Sequence, residues 1–207
     1  MLVLNHESRL GSCYNAPTRG KRGGGEDGRR MRLRGTTVIG CVRDGHAAIG
    51  CDGQVTAGDT ILKAGARKVR RLYHGQVLAG FAGSAADGLQ LFERFESRLE
   101  THRGRLQLAA VELAKEWRSD RFLRRLEAQL IALDGSQAFL ISGAGDVLEP
   151  DDGIVAIGAG GPYALAACRA LLRHGGVNDP ACAVRHGLEI AGEICIYSNQ
   201  TIHVEQL

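Results

Sequence analysis

An α+β fold, with helices layered on either side of stacked antiparallel sheets, is predicted by three observations. Short β-prone runs are joined by Asp-Gly and other Gly-containing turns, the hydrophobic period switches between two and 3.6, and the helical stretches come in adjacent pairs between the hairpins. The predicted order is strands, two helices, strands, two helices, strand.

Taken in order, Thr36–Val42 and His46–Cys51 read as strands joined by Arg43-Asp44-Gly45, an Asp-Gly hairpin signal. Asp52-Gly53 is a further turn, followed by a polar, Gly-containing stretch. Lys68–Tyr73 and Gln76–Phe81 form a second hairpin around His74-Gly75. The period then changes. Ser84-Ala85-Ala86-Asp87 resembles a capping box with Asp in place of Glu, and Leu89, Phe92, Phe95 and Leu99 recur at helical spacing. Leu106, Ala110, Leu113, Ala114 and Trp117 mark a second helix, and both stripes read as core. Arg118, Arg121, Arg124 and Arg125 read as a solvated face. Strands resume at Glu127–Leu133 and Ala138–Ser142 around Asp134-Gly135, turn at Gly143-Ala144-Gly145-Asp146, and continue at Ile154–Ile157. A helix runs from Tyr163, another spans roughly Pro180–Ile194, and Ile202–Glu205 closes as a strand.

At 207 residues and 44% hydrophobic content, the chain suffices for one well-buried domain, 36–207, preceded by a tail, 1–35. The formal charge of +3 comes from that tail. Residues 1–35 hold eight of the 26 Lys/Arg and three of the 23 Asp/Glu, which leaves 18 basic and 20 acidic residues in the domain. A nucleic-acid partner therefore loses its electrostatic support. Gly-Lys-Arg-Gly-Gly-Gly-Glu-Asp-Gly-Arg-Arg in the tail has almost no apolar periodicity and predicts a disordered or removed leader, with Met31 an alternative start. Leu2-Val3-Leu4 is too short for a secretory signal, and no later run reaches the roughly 20 apolar residues of a membrane span. Cys13, Cys41, Cys51, Cys168, Cys182 and Cys195 have no Cys-x-x-Cys spacing. They read as reduced thiols of a cytoplasmic protein, mostly small core residues.

The chemistry centres on Gly35-Thr36-Thr37. Opening the peptide bond before Thr36 would put a hydroxyl and a free α-amine on one residue. An α-amine with a pKa of about 7.7–8.0 can take the hydroxyl proton near neutral pH. The plainer reading is a β-strand start, which threonine favours. The joint Gly158-Ala159-Gly160-Gly161 raises a rival, phosphate binding at a helix N-terminus. A dinucleotide fingerprint needs Gly or Ala where Tyr163 stands, and a P-loop needs a Gly-Lys-Ser/Thr that the chain lacks. A nucleotide-binding module is thus the weaker alternative.

Thr36-Thr37-Val38, Cys51-Asp52-Gly53-Gln54-Val55-Thr56, Ala66-Arg67-Lys68-Val69-Arg70-Arg71-Leu72, Ala79-Gly80-Phe81-Ala82-Gly83, Glu112-Leu113-Ala114-Lys115-Glu116-Trp117-Arg118 and Ile190-Ala191-Gly192-Glu193-Ile194-Cys195-Ile196-Tyr197 together resemble the HslV family. This is the peptidase component of a two-part ATP-dependent protease and a relative of proteasome β subunits. The likeness covers essentially all of 36–207. It implies a four-layer αββα N-terminal nucleophile hydrolase, with Thr36 as mature N-terminus and nucleophile, Lys68 as active-site lysine, Asp52 as its acidic partner and the Gly80 N–H as oxyanion donor. It also implies a sodium ion held by the main-chain carbonyls of Gly192, Cys195 and Ser198, with no nucleotide on this subunit. The partners it implies are an HslU-type hexameric ATPase, eleven further copies in two stacked hexameric rings, and unfolded protein substrates. One departure matters: the family usually has Gly-Ser-Gly-Gly where Ala159 stands, and the missing hydroxyl predicts reduced activity or, alternatively, a silent ring subunit.

Overall fold

A computed structural model of the chain describes residues 33–207 apart from Gly35 and Glu127, all within one unit, Met31–Leu207. The leader and the alternative start at Met31 lie outside the described residues, save Leu33–Arg34.

The first hairpin forms as its turn chemistry demands. Strands β2 (Thr37–Arg43) and β3 (His46–Cys51) pair from Val38 opposite Cys51 to Arg43 opposite His46. Asp44 and Gly45 both take positive φ, 51° and 80°, the requirement of the two-residue turn that matches strand twist. Anticipating two later strands, β11 (Ile154–Gly158) pairs with the free side of β2, and β12 (His203–Gln206) with that of β3, giving the order β11-β2-β3-β12.

The second sheet comprises β6 (Val69–Leu72), β7 (Val77–Ala82), β8 (Gln129–Leu133), β9 (Ala138–Ser142) and the short β10 (Val147–Leu148), in the order β10-β9-β8-β7-β6. Its inner face packs on the first sheet through Val69, Leu78, Ile131 and Leu133 against Val38, Ile49 and Cys51. Helices α1 (Ala85–Thr101) and α2 (Leu106–Ser119) cover its outer face. Helices α3 (Gly161–His174) and α4 (Pro180–Ile194) cover the other sheet. The layers are therefore helix, sheet, sheet, helix, as the sequence predicts.

Local details depart from expectation in physically legible ways. The stretch after Gln54, expected as a polar connection, contains β4 (Val55–Ala57) and β5 (Thr60–Lys63), which with β1 (Leu33–Arg34) make a small sheet of order β1-β4-β5. All four β5 residues are exposed, so no hydrophobic alternation marked it; Gly58-Asp59 between the strands was the available turn signal. In α1 the Ser84 side chain accepts the Asp87 N–H, as the capping motif predicts. Leu89, however, is exposed and Leu91 is buried in its place, because the inward stripe runs Leu91, Phe92, Phe95, Leu99. In α2 the predicted stripe is buried throughout and ends on Trp117, and Glu116 pins the helix to Arg94 and Arg98 of α1. The four arginines from Arg118 to Arg125 are exposed.

Candidate active site

Four chain segments end at the same edge of the sandwich. Because Thr37 lies opposite Gly158 and Val38 opposite Cys51, Thr36 precedes β2 at the point where Asp52 follows β3 and β11 ends. Lys68 immediately precedes β6, and its carbonyl accepts the Phe81 N–H at 3.2 Å. Residues far apart in sequence thus meet through strand register.

Asp52 and Lys68 form a buried ion pair. Lys68 Nζ donates to Asp52 Oδ1 at 2.8 Å and to the Gln54 carbonyl at 2.6 Å. Asp52 Oδ1 also accepts the Thr37 N–H at 2.7 Å, and Oδ2 the Gln54 N–H at 2.9 Å. Three donors on one fully buried carboxylate satisfy it as a buried charge requires. Burial lowers the Lys68 pKa from the usual lysine value, and the Asp52 charge opposes that shift. The neighbouring Cys51 thiol is pushed up to about 11 by burial, so it stays protonated at neutral pH.

The Gly-rich joint presses against the predicted nucleophile. The Ala159 N–H donates to the Thr36 carbonyl at 2.9 Å. A Cβ at Gly158 would lie 2.0 Å from that same oxygen, and Gly158 has φ 86°; only glycine meets both conditions. The Gly160 N–H donates to Thr37 Oγ1 at 3.1 Å, and that hydroxyl also bonds Ser198 Oγ at 2.6 Å. The joint is filled by Thr36 and Thr37, which removes the room and the donor that a phosphate would use. Ala159 is exposed beside Thr36 and carries no hydroxyl.

Gly80 is the expectation the structure corrects. It lies inside β7, opposite Val69 on one side and Ile131 on the other. Since the Phe81 N–H faces Lys68, strand alternation turns the Gly80 N–H to β8, into the sheet ladder. Its lack of a side chain is explained by inter-sheet contact, for a Cβ there would meet Val38 at 2.7 Å and Ile49 at 3.0 Å. The Ala82–Gly83 peptide behaves differently. Ala82 pairs with Gln129 of β8, so its carbonyl faces that strand and the Gly83 N–H faces back toward the Lys68 side. Gly83 has φ 138°, again a glycine conformation.

The three carbonyl residues named for sodium gather at the end of α4. Gly192 belongs to its last turn, Cys195 is its C-cap, and the Ser198 N–H donates to the Cys195 carbonyl at 3.0 Å. Carbonyls at a helix end lack intrahelical partners and carry partial negative charge, which suits a hard cation. Among the described residues no cluster of His, Cys, Asp or Glu could hold a metal, so a cation here would rest on main-chain oxygens. The Ser198 side chain has a separate contact, its hydroxyl bonding Thr37 Oγ1 at 2.6 Å.

Thr37, Gln54 and Asn199 are site residues that sequence reasoning left without roles. Asn199 Oδ1 accepts the Gly53 N–H at 3.1 Å and Nδ2 donates to the Ala64 carbonyl at 2.9 Å. The only signal for any of them was a polar residue in a stretch that also carried catalytic candidates. Among the described residues, no helix is long and apolar enough to cross a membrane.

Comparison with known proteins agrees with this architecture. The family profile described as "Proteasome subunit" matches residues 33–207. The chain is 55% identical over 179 residues to the ATP-dependent protease subunit HslV of Chlorobium luteolum, covering 86% of this chain and 98% of that one. Among solved structures, eukaryotic HslV from Trypanosoma brucei superposes with a TM-score of 0.78 at 43% identity, covering 83% of this chain and 98% of that chain. BPH from Thiobacillus denitrificans, in complex with epoxomicin, matches with a TM-score of 0.63 at 21% identity, covering 83% and 97%, a likeness of fold.

Proposed function

This chain belongs to the proteasome subunit family, and within it to the HslV type, and from that premise we propose that it is an N-terminal threonine peptidase with Thr36 as nucleophile. The observation that carries the proposal is the buried Asp52–Lys68 pair hydrogen-bonded to the main chain of Thr37, the residue next to the nucleophile. In the 207-residue chain the Thr36 nitrogen is a peptide nitrogen, so removal of residues 1–35 must come first.

Once that nitrogen is an α-amine, it accepts the Thr36 hydroxyl proton as Oγ attacks a peptide carbonyl. The Lys68 ammonium disfavours a second cation beside it, which holds the amine in its free, basic form near neutral pH. Asp52 keeps Lys68 charged and in place. The oxyanion takes the Gly83 N–H, which faces the Lys68 side. Collapse of the tetrahedral intermediate breaks the C–N bond, the departing amine receives the proton held by Thr36, and water then hydrolyses the acyl ester.

The leader supports a route for substrate. Leu33 pairs opposite Ala57 and Arg34 opposite Thr56 of β4, antiparallel. A substrate segment on the acyl side of its scissile bond takes that same edge as an added strand.

The wider reading follows the relatives' names. The chain works with an HslU-type ATPase that unfolds protein substrates and feeds them into a chamber of two stacked six-membered rings, in the cytoplasm. The carbonyls of Gly192, Cys195 and Ser198 would hold sodium, which supplies charge neutralisation at the α4 terminus. The exposed Ala159 favours a second reading, a ring subunit of low activity. Intact mass and N-terminal sequencing of the purified protein test the proposal. A chain beginning at Thr36 whose peptidase activity is abolished by Thr36→Val supports it, and a chain that retains residues before Thr36 while hydrolysing peptides sinks it. A strong rise in rate on Ala159→Ser supports the low-activity reading, and no change rejects it.

A further inference from the structure

The turn that follows α4, residues 195–199, makes three polar contacts with the rest of the site, and each falls on a neighbour of a proposed catalytic residue. Ser198 Oγ meets Thr37 Oγ1 at 2.6 Å, next to Thr36. Asn199 Oδ1 accepts the N–H of Gly53 at 3.1 Å, next to Asp52. The Ile196 carbonyl accepts from Gln54 Nε2 at 3.0 Å, and Gln54 is the residue whose carbonyl holds Lys68 Nζ. The Ile196 side chain is 80% exposed, so the turn contributes its carbonyl inward while its side chain adds nothing to the core.

Gln54 is the joint of this arrangement. Its main-chain N–H and carbonyl face Asp52 Oδ2 and Lys68 Nζ. Its side-chain amide donates to Ile196 O and to Thr56 Oγ1, both at 3.0 Å, and the residue is 2% exposed. With both amide hydrogens engaged, the side chain has one orientation, and the peptide plane that holds the ion pair is fixed with it. Gly53 is clamped as closely: a Cβ there would lie 2.1 Å from the Ala64 carbonyl.

We infer that Gln54 and Asn199 are positioning residues of the threonine peptidase site, through which the turn after α4 sets the placement of Lys68 and Asp52 relative to Thr36. The inference rests on the peptidase reading above. Neither side chain touches the reacting atoms; each fixes a main-chain group that does touch the ion pair or adjoins it. Small misplacement of such groups lowers the rate of the chemical step and leaves substrate affinity largely intact.

The test uses the mature chain, assembled with its ATPase, with kcat and KM read separately on an unfolded protein and on a short peptide. Gln54→Met keeps length and main chain but removes both amide donors. The expected result is a fall in kcat of about tenfold or more, with KM within about twofold. An unchanged kcat overturns the inference. The half-exposed Asn199 supplies a pair of variants independent of core folding. Asn199→Asp keeps the acceptor for the Gly53 N–H and gives up only the donor to the Ala64 carbonyl, whereas Asn199→Ala gives up both, so Asp is expected to recover part of the kcat that Ala loses. Equal loss in both overturns the inference. If wild-type protein hydrolyses nothing, the peptidase reading falls and the positioning is read directly by hydrogen exchange. The amides of Thr37, Gly53 and Gln54 then exchange about tenfold faster in Asn199→Ala than in wild type. Equal exchange overturns it.

Discussion

Asp52→Asn changes almost no volume and removes one charge, which makes it the sharpest probe of the buried pair. In the native site the carboxylate accepts from Lys68 Nζ, the Thr37 N–H and the Gln54 N–H. The asparagine oxygen can keep the first two, but its amide then points donors at the Gln54 N–H, leaving that buried donor unpaired at about 1–3 kcal/mol. Lys68 loses the counter-charge of Asp52 while its side chain is 4% exposed, and breaking such a pair costs about 3–5 kcal/mol. The two penalties share partners and do not add fully, so the expected destabilisation is about 3–5 kcal/mol by urea unfolding. If Lys68 avoids the penalty by giving up its proton, it no longer restrains protonation of the Thr36 amine. Loss of a positioned base lowers kcat/KM by about 10²–10⁴. Peptide hydrolysis and urea unfolding on one preparation read both effects. A variant within about 1 kcal/mol of wild type that also keeps kcat/KM within about threefold would refute the role given to the pair.

Gly158→Ala is expected to cost more than about 2 kcal/mol, because the new Cβ meets the Thr36 carbonyl at 2.0 Å in a backbone of φ 86°. Gly176→Ala, at φ 69° with nothing within 4 Å, isolates the backbone part; equal shifts in thermal midpoint would show that crowding at Thr36 contributes nothing. Alkaline stability reports Cys51, which unfolds from about 11 to its ordinary 9.0. The folded state holds that proton longer, so stability falls as pH rises from about 9 to about 11, by about 2.7 kcal/mol for two pH units. Lys68, with its lowered pKa, contributes the opposite slope. Urea unfolding of wild type against Cys51→Ala therefore separates them, and parallel curves would exclude the Cys51 contribution.

Much of the fold was legible because local chemistry and global architecture agree. Asp44-Gly45, the Ser84 cap and the α2 stripe each announce the element they form. Thr36, Asp52 and Lys68 were legible as a set only through the family resemblance; singly, a strand-start threonine, a turn aspartate and a lysine carry no signal. What failed, failed for geometric reasons. Gly80 and Gly83 sit in one short Gly-rich run, and composition cannot say which N–H leaves the ladder. Strand parity decides it, and parity is set by the pairing of Phe81 with Lys68. Gln54 and Asn199 were hidden because their partners are main-chain groups, which leave no mark on the sequence.

The position of Leu33–Arg34 connects maturation to substrate binding. While residues 1–35 remain attached, the ion pair already holds the Thr37 N–H, so the site is assembled before the α-amine exists. The segment before the Gly35–Thr36 bond pairs with β4, which makes the leader the first acyl-side chain to occupy this edge. Its removal, as proposed above, would strip β1 from the small sheet and leave β4 with an unpaired edge, which an extended substrate would fill as the lost strand. The pairing involves the second and third residues before the scissile bond, so two residues added on a peptide's acyl side gain strand contacts that residues added on its amine side do not. At about 0.5–1.5 kcal/mol for a net hydrogen bond, that extension should lower KM by roughly two- to twelvefold. Steady-state kinetics on two peptide series, one lengthened on each side, measure the difference. Equal KM changes in both series would mean that the β4 edge serves the leader alone.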